Sequence, residues 1–286
     1  MGILTKSAIQ VLAIVFAACS ALIAQSDESP AVKPENQTSI LDANQIVELS
    51  IAATERNWLV RDHYTYTERD EDRRLDSLGE VKSEDAEVTK MILVNGARFE
   101  ELIEHNGRPP SVEEQRRNEE GLDKLKHETR GEQDDRLRKM EENRSFLRDV
   151  LDAFDFNLVG EEIAEGRPAY VLLATPHVGY RAHGKFGKMF SNVRGKLWVD
   201  KQDFGWIKLE GQVTQAFSMG LFVARVQRGT HILLEETCVG GEVWVPKRIE
   251  VRASARILFL KSLDIDRVLT YSDYDRVTDG PYLAGR

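Results

Sequence analysis

Residues 194–211 read RGKLWVDKQDFGWIKLEG. Two runs of β-forming side chains, each with a tryptophan, flank a polar corner at 201–205, which predicts a β-hairpin. In a strand, successive side chains point to opposite faces. Ile207, Leu209, Val213 and Phe217 therefore share one face, and Lys208, Glu210, Gln212 and Thr214 take the other. One side is buried and the other is wet. Trp198 is out of step with Leu197 and Val199, and Trp206 with Ile207. Parity leaves the two rings as an outer-face pair or beneath a helical segment.

The same pattern continues in both directions. Downstream, GLFVARVQRG, HILLEETCV, EVWVPKRIEVRASARILFL and DRVLTYSDYDR are separated by short turns. Ile249, Val251, Ala253, Ala255, Ile257 and Phe259 oppose Glu250, Arg252, Ser254 and Arg256. Upstream, GRPAYVLLATP reads as a strand and YRAHGKFGKMFSN as a basic loop. Consecutive strands with short turns imply an antiparallel meander. Nearer the start, Ile46, Leu49, Ile51 and Ala53 give a helical stripe, with Asp42 or Asn44 placed to cap it, predicting a helix over 40–56. From Trp58 the period shortens to two: Trp58, Val60, Tyr64 and Tyr66 share a parity, predicting a strand. EDRRLDSLGE reads as a polar connector, and Asn95-Gly96 and Asn106-Gly107 mark hairpin turns.

Residues 111–155 differ in kind. Strong helix formers dominate, and the first half is almost wholly charged. Leu137, Met140, Leu147, Leu151 and Phe154 recur at three- and four-residue steps. The expectation is a charged helix, a break near Gly131, and an amphipathic helix that docks. The charged part, 111–145, is either a solvated face or an arm for a protein partner.

The chain has 286 residues and a formal net charge of −9. That acidity disfavours a nucleic-acid partner, because nothing steers the chain toward phosphate backbones. After Lys6, an apolar run from Ala8 to Ala24 gives way to a polar stretch. This fits an export signal over 1–24, with a membrane anchor as the alternative. Residues 25–38 read as a flexible lead-in, and 39–280 as a single domain with the helical insertion at 111–155. The expected location is the periplasm or the membrane-associated cell envelope. Cleavage fits after Ala24, and Phe16 to Cys19 offers a second reading as a lipobox that lipidates Cys19. Cys238 is then left without a disulfide partner and reads as a structural thiol.

No motif selects a reaction, and the chain reads as a non-enzyme without cofactors. The six histidines form no compact ligand pair, so no metal is expected. No nucleophile elbow and no phosphate-binding Gly loop is present. Arg181, Lys185 and Lys188 share the basic loop and are candidates for contacting an anion or headgroup.

RPAYVLLATP followed by RGKLWVDKQDFGWIKLEG, and EVWVPKRIEV at 242–251, resemble the LolA-like and RseB-like lipoprotein-carrier superfamily, which includes outer-membrane lipoprotein-sorting relatives. The matching positions are Leu197, Trp198, Val199 and Asp200, then Ile207, Lys208, Leu209 and Glu210. The resemblance implies an α+β fold, a strongly curved antiparallel sheet, or incomplete β-barrel, that covers helices. It implies an apolar groove for acyl chains or a lipidated partner. Trp58, Val60, Tyr64, Ile207, Leu209, Val213 and Phe217 are its candidate lining. The alternative is an interaction or sensory module that uses 111–145.

Overall fold

The structure is a computed structural model, and it describes residues 41–277 apart from 77, 145, 183–186, 220–223 and 258–260. The export signal, the lead-in, Cys19 and Lys185 lie outside the described residues.

Helix α1 (Ala43–Arg61) comes first, with Asp42 as its cap. Asp42 accepts from the Gln45 amide at 2.9 Å, and Gln45 Oε1 accepts from the Asp42 amide at 3.0 Å. This capping box satisfies two helix-end donors at once. The helix therefore runs through Trp58 and Val60, where alternation predicted a strand. Its buried side is Ile46, Val47, Ser50, Ala53, Thr54, Trp58 and Arg61, spaced by one, three or four residues. Three of those seven positions are polar, and each is bonded. Ser50 donates to the Val47 carbonyl at 2.8 Å, Thr54 to the Ser50 carbonyl at 2.9 Å, and Arg61 to Glu236 at 2.7 Å.

Strands β1 (Tyr64–Leu75), β2 (Val81–Val94) and β3 (Ala97–His105) form the first meander. The first half of the stretch read as a polar connector, 71–75, is thus strand, and the β1–β2 turn follows it. Helices α2 (Val112–Lys126), α3 (Arg130–Arg144) and α4 (Phe146–Ala153) follow, with the first break at 127–129, near the expected position. Then come β4 (Phe154–Ala164), β5 (Arg167–Pro176), a one-turn α5 (Gly187–Phe190), β6 (Val193–Asp200) and β7 (Trp206–Val213). Short β8 (Phe217–Met219) and β9 (Ala224–Val226) precede β10 (His231–Val239), β11 (Val243–Ile257) and β12 (Lys261–Arg276).

All the pairings are antiparallel, in the order β3-β2-β1-β12-β11-β10-β7-β6-β5-β4, with β9 pairing β11 and β8 off the main path. The sheet does not close, so the architecture is the expected α+β incomplete barrel covering helices. Helix α1 packs against β11, with α4 beside it. The main core joins Ile46, Val47 and Trp58 of α1 and Leu147 of α4 to Leu197, Val199, Val213, Ile232, Ile249 and Leu269 of the sheet.

The predicted hairpin is present and turns at 201–205. Asp200 organises the corner: its carboxylate accepts from the Gln202 and Asp203 amides at 2.7 and 3.1 Å and from Arg167 at 2.5 Å. Burial raises its pKa, but Arg167 and the two amides outweigh that and hold it below the ordinary value.

One register detail overturns the parity argument. Leu197 pairs Leu209 and Trp198 pairs Lys208, but Val199 pairs Trp206, so Ile207 is the extra residue of a β-bulge. Beyond the bulge the faces exchange. Trp206 joins the main core, and Ile207 packs on the opposite side with Ala169, Val171, Trp198 and Trp244. The tryptophans of the hairpin therefore lie on different faces. Lys196 and Lys208 place their ammonium groups 4.4 and 4.7 Å from the Trp198 ring centre, and its indole N–H donates to Glu162 at 2.9 Å.

Candidate functional site

The residues expected to line one apolar groove fall into three packed clusters. Trp58, Leu209, Val213 and Phe217 belong to the main core, Ile207 to the opposite-face cluster, and Tyr64 and Val60 to a third with Val243 and Val245. Helices α1 and α4 already cover the sheet over the first of these. Arg181 and Lys188 are exposed on either side of the undescribed part of the basic loop.

A cleft opens elsewhere, between β3 and the α2–α3 hairpin, with a volume of about 500 Å³. Sequence reading missed it because its walls come from β3 and from two helices that read as solvated surface. Local bonds explain how α2 is held there. Asn118 on α2 accepts from the Leu102 amide at 3.2 Å and donates to the Leu102 carbonyl at 2.8 Å, copying the pairing of a strand at the sheet's open edge. Gly121 lets the helix approach: a Cβ there would stand 3.1 Å from the Phe99 ring. The sign that could have flagged this is Asn118 and Gly121, three residues apart and so on one helix face, in an otherwise charged segment.

The floor of the cleft is Phe99, Leu125 and Met140. Its carboxylates are engaged within the hairpin. Glu128 takes Arg136 at 3.0 Å, Glu132 takes the Thr129 amide and hydroxyl at 2.9 and 2.8 Å, and Asp135 takes Arg138 at 2.9 Å. Arg98 is tied to Asp62 at 3.2 Å and to the Arg61 carbonyl at 2.8 Å. Lys124 and Lys139 also line the cleft, are exposed, and have no carboxylate within ion-pair distance among the described residues. Together with the Thr129 bonds, Lys124 helps hold the Glu132 carboxyl down, and together with Arg138, Lys139 does the same for Asp135. Among the described residues the two lysines are thus exposed cations without a contact ion pair, beside the apolar residues Phe99, Leu125 and Met140.

A second polar cluster lies at the end of β3. His105 Nε2 lies 2.8 Å from Asp85 Oδ1 on β2, and Nδ1 lies 2.5 Å from Glu114 Oε1 on α2. Glu87 is close enough that Asp85, Glu87 and His105 bring three carboxylate and imidazole atoms within 4.8 Å of one another. In its charged form the imidazole donates to both carboxylates and has no lone pair to offer an ion, and the cluster is then a charge-assisted bridge. The bonds to Asp85 and Glu114 raise the His105 pKa above its usual value, and Glu114 is held down to about 2 by Ser111 and by His105.

On the inner face of β1, Glu68 is pushed up to about 7, first by burial and then by the neighbouring charges of Glu100 and Asp70. Arg267 on β12 is buried and holds both carboxylate oxygens of Asp70. Cys238 is half-buried and free of a disulfide, and burial raises its thiol pKa. No helix among the described residues is long and apolar enough to cross a membrane.

Neither family models nor curated proteins gave a match. Among solved structures, the chain is similar to a DUF1329 family protein from Desulfovibrio piger, with 11% identity over 84% of this chain and 95% of that one and a TM-score of 0.32. It is similar to a putative outer membrane lipoprotein-sorting protein domain from Vibrio parahaemolyticus (10% identity, 82% and 94% covered, TM-score 0.31). It is also similar to a LolA superfamily protein from Nitrosomonas europaea (12% identity, 84% and 96% covered, TM-score 0.30). Superpositions this loose carry no argument about a ligand, and the architecture stands on the strand pairing described above.

Proposed function

We propose that this chain is a non-enzymatic binding protein of the cell envelope. Its cleft between β3 and the α2–α3 hairpin takes an amphipathic, carboxylate-bearing segment of a protein partner. One observation carries this reading: the acids of the cleft are hydrogen-bonded within the hairpin, while Lys124 and Lys139 are exposed without a contact ion pair among the described residues and line the cleft together with half-buried Phe99, Leu125 and Met140. An apolar anchor flanked by carboxylates complements that surface. The envelope location rests on the N-terminal sequence. The test is fluorescence anisotropy with a labelled amphipathic acidic peptide and its charge-reversed counterpart. The acidic peptide should bind, and K124E with K139E should weaken it by about tenfold or more. Equal binding of both peptides, or no effect of the double substitution, would overturn the reading.

A second reading keeps an acyl ligand on the inner face. Trp206 is buried in the main core, yet its indole Nε1 has no acceptor among the described residues. A ligand's ester or carboxyl oxygen would satisfy that donor. Phe154, Phe156, Tyr180 and Phe190 form an aromatic cluster on the same core, and Arg181 and Lys188 flank it in sequence. Mass spectra of the purified protein should then carry co-purified lipid, and protein that is clean and ignores fatty-acyl probes would exclude it.

A further inference from the structure

Over its first half, helix α2 is fastened to the sheet at two points, while at its far end Asn95 Nδ2 in the β2–β3 turn donates to the Lys126 carbonyl at 3.5 Å. One is the Asn118 pairing with Leu102. The other is the imidazole of His105. The chain leaves β3 at His105, turns through Asn106 and Gly107, passes Pro109 and Pro110, and enters α2 at its cap, Ser111. Glu114 closes the capping box: its Oε2 accepts from the Ser111 amide at 2.8 Å and the hydroxyl at 2.7 Å. Its other oxygen faces His105, and the far side of the ring faces Asp85, which also accepts from Asn106 Nδ2 at 3.1 Å. One imidazole thus joins the first turn of α2 to strand β2.

We infer that His105 is a proton-operated latch that fixes the start of α2 to the sheet and thereby holds one wall of the cleft in place. Charged imidazole donates from both nitrogens. Neutral imidazole keeps one N–H, so one of its two carboxylate neighbours meets a lone pair instead of a donor. The groups facing the ring all press the same way: Asp85 and Glu87 from β2 and Glu114 from α2 are acidic. Among cations, Arg108 shares backbone hydrogen bonds with His105 at 2.8 and 3.1 Å but is itself exposed, and Arg69 on β1 is engaged with Glu71 at 2.8 Å and with Glu104 at 3.7 Å. A histidine whose folded pKa is raised contributes fully below its unfolded value and loses that contribution as pH rises through the folded one. The latch is therefore closed below the ordinary histidine pKa and opens as pH rises through the raised value of the folded ring.

As regulation of the cleft, this rests on the binding reading above; as a statement about α2, it does not. The experiment is hydrogen exchange of the full chain at about pH 6 and about pH 8.5, corrected for intrinsic rates, together with NMR titration of the His105 ring. In the native protein, amides in the first two turns of α2 should lose protection by roughly tenfold across that interval. His105→Gln should be weakly protected at both values, and Glu114→Gln should lower the ring's titration midpoint. A pH step of the same size in His105→Gln would overturn the latch, as would a His105 midpoint at or below about 6.5 in the native protein. The Glu114→Gln midpoint keeps the test decisive if His105→Gln fails to fold. Peptide anisotropy at the same two pH values separates the two claims. A working latch without peptide binding removes the partner, and binding without a protection step removes the latch.

Discussion

Arg61 and Glu236 form an ion pair at 2.7 Å with side chains only 8% and 9% exposed, joining the end of α1 to β10. Removing one partner of a buried pair strands the other charge, which costs about 3–5 kcal/mol. Arg61→Ala should lower unfolding stability in urea by that amount, while the double replacement Arg61→Met with Glu236→Leu should recover much of it. If the single and double variants are equally unstable, the pair is not a coupled unit. Glu236 also shows how little a neighbouring pair of acids says by itself. Adjacent on a strand, Glu235 and Glu236 face opposite sides, and Glu236 points inward to meet an arginine 175 positions away. Nothing local in the sequence marks that encounter.

At the scale of elements, α1 shows what periodicity can and cannot deliver. Its cap was legible: Asp42 sits three residues before Gln45, and the box forms. Asp42→Ala should cost about 1 kcal/mol, seen as a lower urea midpoint at unchanged slope. A shift within experimental error would mean the cap is redundant with the packing of Ile46 and Val47. The end of α1 was not legible, because buried Ser50, Thr54 and Arg61 interrupt the apolar stripe. With those positions read as polar, Trp58, Val60 and Tyr64 look like alternate residues of a strand. The later part of β1 was hidden for the opposite reason: charges such as Asp70, Asp72 and Arg73 occupy both faces, so the alternation seen at Tyr64 and Tyr66 does not continue. Its pairing comes from partners on β2 and β12, including Arg73 to Glu84 at 3.1 Å and Arg267 to Asp70.

Across the whole molecule, the inner face changes character along its length. Around α1 it is apolar, and along β1, β2 and β12 it becomes acidic, with Glu68 raised to about 7. A carboxyl whose folded pKa is raised binds its proton more tightly in the folded state. Its contribution is complete below the unfolded value and declines as pH climbs. Stability against urea should therefore fall between about pH 4.5 and 7 on this account, and Glu68→Gln should flatten that decline. An unchanged slope in Glu68→Gln would assign the effect elsewhere. The His105 effect begins higher, so the two windows are separable by variant. The sequence by itself determined the antiparallel meander, the hairpin at 201–205, the capped first helix and the charged helical insertion. Each is written in local periodicity, turn chemistry and capping residues, which act over a few positions. Only the tertiary structure decided that a one-residue bulge sends Trp206 inward and Ile207 outward, that the expected groove residues divide among three clusters, and that α2 lies along the edge of β3 to make a cleft. Those outcomes depend on register and on contacts between distant segments, and a shift of one residue reverses every side chain beyond it.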